Sequence, residues 1–64
     1  MNIQVGAADI ARAMGFDVVV NWETGLREVR CDGVETFFVG EKYDDEDAAA
    51  ERFFKQLARE VFLK

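Results

Sequence analysis

Apolar residues fall into four blocks along this chain, and the spacing within each block predicts a different element. In residues 7–15, "AADIARAMG", Ile10, Ala11 and Met14 recur at helical spacing, and Gly15 is placed to end a short helix in the left-handed conformation. Residues 16–22, "FDVVVNW", are β-branched and aromatic and predict a first strand. "ETG" then reads as a three-residue hairpin loop with Gly25 at its left-handed position, and "LREVRC", residues 26–31, as the second strand. Asp32-Gly33 suits a two-residue type I′ turn into a third strand, "VETFFV", residues 34–39. Such a turn sets Cys31 opposite Val34, Arg30 opposite Glu35 and Val29 opposite Thr36, and makes Arg30 and Glu35 a cross-strand charge pair.

The last block changes period. Ala50, Phe53, Phe54, Leu57, Ala58 and Val61 recur at spacings of three and four, which predicts an amphipathic helix from about 45 to 62 with this stripe in the core. The expected fold is therefore one small α+β domain over residues 1–64: a short N-terminal helix, a three-stranded antiparallel meander, and a C-terminal helix packed on the sheet. Strand alternation puts Val29, Cys31, Val19, Val34 and Phe38 on one face, as the floor for the second helix. Phe16, Val18, Val20, Trp22, Leu26, Phe37 and Val39 then fall on the other, where the first helix covers part and leaves Trp22 or Phe37 as candidate contacts.

Composition narrows the chemistry. The 64 residues contain no His, Ser or Pro, and Cys31 is the lone cysteine, so zinc sites and the familiar nucleophile–base pairs lack their parts. Paired carboxylates can still do acid–base work, but only in a cleft that drives their pKa values apart, which a domain of this size rarely supplies. The expectation is a protein without enzyme activity, cofactor or metal. A lone cysteine forms no internal disulfide and no leader-like segment opens the sequence, which predicts an intracellular, cytoplasmic location. The longest apolar runs, such as Val18-Val19-Val20, are far too short to span a bilayer.

Charge is unevenly distributed. Residues 32–51 hold eight carboxylates against Lys42 alone, a local net charge of −7 in a chain of net −5, so the remainder is slightly basic. Asp44 fits an N-cap, and Asp45, Glu46 and Asp47 in the first turn complement the helix dipole. Capping does not call for the whole cluster. At about 1.5 Å rise per helical residue, consecutive acids approach the charge density of duplex DNA, about one charge per 1.7 Å. A Lys- or Arg-lined DNA channel would accept such a surface; a solvated face that keeps a small protein soluble is the competing explanation.

"DIARAMGF" followed by "NWETG" resembles the turn and closing residues of phage repressor helix-turn-helix domains. Six residues between Gly15 and Trp22 are about two too few, and three valines occupy the place of the recognition helix. A net charge of −5 also opposes phosphate binding, so no direct nucleic-acid binding is expected.

As a whole-chain profile, short, acidic and α-β-β-β-α with "YDDEDAAAE" as its most suggestive stretch, the protein resembles phage-encoded anti-CRISPR proteins, several of which imitate DNA. The resemblance implies a stoichiometric inhibitor that occupies the DNA-binding surface of an interference complex. The partner would be a basic DNA-binding protein or CRISPR effector subunit, with the protein itself a monomer or homodimer; the resemblance carries over no individual residue, and the charge distribution offers Glu35, Glu41, Tyr43, Asp44, Asp45, Glu46, Asp47 and Glu51 as the contact set. Two alternatives stay open: a small structural or assembly protein using an apolar sheet face, and a transcriptional accessory factor of helix-turn-helix ancestry.

Overall fold

The computed structural model describes residues 5–31 and 35–62. Its elements follow the predicted order: α1 (Ala7–Ala13), β1 (Phe16–Val20), β2 (Arg27–Cys31), β3 (Glu35–Val39) and α2 (Glu46–Phe62). The strands form one antiparallel sheet in the order β1-β2-β3. Gly15 (φ 97°) and Gly25 (φ 76°) both take the left-handed conformation expected of them.

The first hairpin is longer than the sequence suggests. β1 stops at Val20, and the Asn21 N–H donates to the Leu26 carbonyl at 2.8 Å, so Trp22–Gly25 make a four-residue loop. Asn21 starts it, because its side-chain oxygen accepts the Glu23 N–H at 2.9 Å, an Asx-turn that competes with continued strand pairing. Trp22 therefore sits in the loop, 91% exposed, rather than at a strand end.

Register overturns the expected face assignment. Val18 pairs with Val29 and Phe16 with Cys31, so Phe16, Val18 and Val20 share a face with Val29 and Cys31, while Val19 goes with Glu28 on the other. Between β2 and β3, Cys31 opposes Glu35 and Arg30 opposes Thr36, one step away from the expected pairing, so the Arg30–Glu35 charge pair is not made. The Asp32-Gly33 turn and Val34 lie outside the described residues. A β-bulge then shifts the ladder between Val29 and Arg30: Val29 pairs with Phe38, and Phe37 is the extra residue. The bulge lets two consecutive phenylalanines turn toward the helices, where strict alternation would send one outward.

Both helices pack on that single face. Ala8 and Ala11 of α1, Val18, Val29, and Ala50 and Phe53 of α2 form one buried cluster, with Phe16, Phe38, Phe54 and Leu57 packed around it. Phe53 is its hub: its ring centre lies 5.1 Å from Phe16, 6.1 Å from Phe38 and 5.7 Å from Phe54. The uncovered face carries Asp17, Val19, Glu28, Arg30, Thr36 and Val39, a mixture of polar and apolar side chains where an apolar set was expected. The segment Val18–Val20 is strand, with no recognition helix in its place.

Of the predicted α2 stripe, Ala50 and Phe53 are buried, Phe54 and Leu57 half-buried, and Ala58 and Val61 exposed. Length explains the fading: 17 helical residues span about 25 Å, five strand residues about 17 Å, so the end of α2 overhangs the sheet. Phe53→Ala should lower stability by about 3–5 kcal/mol and Leu57→Ala by about 1–2 kcal/mol, while Val61→Ala should stay within about 0.5 kcal/mol. Urea unfolding of the three variants checks the order; a Val61 effect as large as that of Phe53 would place the core further along α2.

Candidate functional site

The acidic run is positioned by the loop between β3 and α2. The Asp44 N–H donates to the Glu41 carbonyl at 3.0 Å, while Asp44 Oδ2 accepts the Glu41 N–H at 2.9 Å and Arg52 Nε at 2.8 Å. Only 8% exposed, Asp44 is a buried brace between the loop and the second turn of α2, not the predicted N-cap. Asp45 is the cap: its Oδ1 accepts the Ala48 N–H at 2.8 Å. Arg52, brought round by the helix, gives Asp44 the counter-charge that turns it inward and leaves the cap to the next residue.

The next two acids reach across to the first helix. Glu46 Oε2 accepts Arg12 Nη2 at 2.8 Å, and the same Nη2 donates to the Val18 carbonyl at 3.2 Å. Asp47 Oδ1 accepts the N–H of Ala8 at 3.1 Å. The N-cap position of α1 is Gly6, which has no side chain to cap with, so Asp47 supplies that cap from 39 residues away. Glu41, with Oε1 3.5 Å from Arg52 Nη1, remains largely exposed, as does Glu51 one turn into α2. Tyr43 projects from the loop, 90% exposed, with Lys42 Nζ 5.5 Å from its ring centre.

Seven of the eight predicted contact residues thus gather at one end of α2, although Asp44 points inward. Glu35 does not join them: it begins β3, four strand steps or about 13 Å from Val39 and the loop beyond it.

Sequence reasoning missed two features. On the uncovered sheet face Glu28 is 6% exposed, and its carboxylate accepts from Asn21 Nδ2 (2.8 Å), Arg30 Nη2 (2.7 Å) and Nε (3.0 Å), and Thr36 Oγ1 (3.1 Å). No local pattern announces that network, because its members come from the hairpin loop and two strands. The other is a groove of about 430 Å³ between β3 and α2, lined by Phe38, Val39 and Glu41 on one wall and Arg52, Lys55, Gln56 and Arg59 on the other. The three cations and the glutamine recur at i, i+3, i+4 and i+7, a signal that was legible. A second groove, about 390 Å³, lies over Phe16, Phe37, Phe53 and Leu57.

Among the described residues, no group of three or more potential metal ligands comes together, and no helix is long and apolar enough to cross a membrane. No family model, curated protein or solved structure matches this chain.

Hydrogen bonding sets the state of the two buried carboxylates. The Glu41 amide, then Arg52, holds Asp44 below the usual aspartate range, and Asn21 followed by Arg30 does the same for Glu28. With folded-state values lowered, each contributes stability that is complete above the ordinary carboxylate values, about 3.9 and 4.3, and is lost as pH falls from there through the folded values. Urea unfolding between pH 7 and pH 2.5 should show stability dropping below about pH 4.5. In Asp44→Asn and Glu28→Gln the acid limb should be shallower, from a lower starting stability. An acid limb unchanged in both variants would place the responsible carboxylates elsewhere.

Proposed function

We propose that this protein acts by stoichiometric binding, setting the exposed acidic end of α2 against a Lys- and Arg-lined nucleic-acid-binding surface in the manner of a DNA mimic. The observation that carries this reading is Tyr43: a large aromatic ring, 90% exposed and contributing nothing to the core, stands among the outward carboxylates of Glu41, Asp45, Glu46, Asp47 and Glu51. Folding has no use for a ring in that position, whereas an interface uses tyrosine as a rigid anchor inside a charged rim. Glu46 and Asp47 are held in place by Arg12 and the Ala8 amide, which reduces the entropy lost when a partner is met.

Two features weigh against catalysis. Asp44 and Glu28, the buried carboxylates, are held ionised rather than poised near neutrality as a general acid or base requires. Each of the two grooves is lined by a single carboxylate, Glu41 in one and Glu60 in the other, so neither holds the pair that acid–base work needs. The profile resemblance to anti-CRISPR proteins makes a basic subunit of a CRISPR interference complex the partner to test. Asp44 leaves the contact set because its charge is matched internally, and Glu35 because of its distance.

The structure also changes which residues make a fair test. Neutralising Asp45, Glu46 and Asp47 would remove a helix cap and two links between the helices, so lost binding could be lost folding. The combination Glu41→Gln, Tyr43→Ala and Glu51→Gln spares all three. Added to a purified CRISPR interference complex before DNA, the wild-type protein should suppress the DNA gel shift at near-equimolar amounts. The triple variant should need at least ~10-fold more protein at an unchanged melting temperature, and 0.5 M salt should weaken the wild type. A gel shift unaffected by a large excess of wild type at low salt sinks the proposal.

A further inference from the structure

The groove between β3 and α2 gathers three cations in a protein of net negative charge. β3 is an edge strand, with β2 on one side only. The Gly40 N–H donates to the Arg27 carbonyl at 2.7 Å, so Gly40 faces β2, and alternation turns the N–H and C=O of Val39 toward the open side. Natural sheets commonly blunt such edges with Pro, Lys or a bulge. Here the bulge sits at Phe37, which leaves Phe38 and Val39 as regular strand along one wall of the groove, with Glu41 just beyond.

Along the opposite wall run Arg52, Lys55 and Arg59. Arg52 is already matched, by Asp44 at 2.8 Å and Glu41 at 3.5 Å. Lys55 and Arg59 make no ion pair with another described residue. A protein of net charge −5 thus presents two unmatched cations beside open strand amides.

We propose that this groove docks an extended acidic segment of a partner protein, which adds to the sheet as a fourth strand along β3. Its backbone would bond to Val39, and its alternate side chains would point at α2, where carboxylates meet Lys55 and Arg59. A second copy of this chain is the wrong occupant: two-fold pairing of β3 with itself brings the same cations into one interface, where they repel. Nucleic acid is disfavoured by the acidic end of the same helix and has no strand to offer the edge amides. This site meets the DNA-mimic surface only at Glu41, and its test turns on Val39, Lys55 and Arg59, which that surface does not use, so the two stand or fall independently.

The test uses a fluorescein-labelled ten-residue peptide of alternating glutamate and valine, followed by anisotropy, with the lysine–valine peptide as control. Saturable binding of the acidic peptide alone is expected, with amide shifts in the protein concentrated at residues 38–41. Lys55→Glu with Arg59→Glu, both on exposed positions, should weaken it at least ~10-fold, about 1.4 kcal/mol, as should 0.5 M salt. Val39→Pro removes the outward N–H and should abolish binding; if that variant does not fold, the charge-reversal pair still decides. Equal binding of the lysine peptide, no response to charge reversal, or a dimer by sedimentation that closes the β3 edge would overturn the proposal.

Discussion

Only one face of the three-stranded sheet is apolar, and both helices have to share it. Everything else in the fold answers to that constraint. Two helices fit side by side over three strands only if they approach closely, and alanines at Ala8, Ala11 and Ala50 permit it, leaving Phe53 to fill the space where the helices and strands converge. The bulge at Phe37 sets that ring edge-on to Phe16 at 6.0 Å, at the exposed rim of the single core. Without a second core the opposite face must be stabilised by polar means, which the four hydrogen bonds to Glu28 accomplish.

Seven residues are too few for a helix to persist alone in water, so α1 depends on what α2 provides. Asp47 satisfies one of its orphan amides and Glu46 holds Arg12, which in turn bonds the carbonyl of Val18 in β1. The acidic run is therefore neither merely a helix start nor merely a surface. Each carboxylate from Asp44 to Asp47 has one acceptor oxygen bound to a group of this chain, and those of Asp45, Glu46 and Asp47 still face solvent. The structural role leaves room for further contacts because a carboxylate has more lone-pair sites than one internal donor can occupy.

α2 divides electrostatically along its length. Its first turns carry the carboxylates that support the DNA-mimic reading, and its middle turns carry the cations beside the β3 edge. The helix dipole favours the anions of the first turn and Arg59 in the last, while Arg52 and Lys55 lie between, where its effect has fallen off. One helix can therefore offer two surfaces of opposite sign, suited to two kinds of contact, with Arg52 bridging them through Asp44.

Element order and type were determined by the sequence alone. The period changes from two to three or four at the right places, and the glycines at 15 and 25 mark chain reversals whatever surrounds them. The clustering of Glu41, Tyr43, Asp45, Glu46, Asp47 and Glu51 was equally legible, because neighbours on one helix start stay neighbours in space. Tertiary structure alone decided the faces. Strand side chains alternate, so a one-residue difference in hairpin length sends every downstream side chain to the opposite face, and the bulge reverses the parity again. It also decided which acid turned inward: only when Arg52 came round beside Glu41 did Asp44 have a counter-charge to be buried against. Partners far apart in sequence leave no periodic trace, and for that reason the Glu28 network and the cap given by Asp47 to α1 became visible only in the folded chain, as did the strand edge that the periodic cations of α2 lie beside.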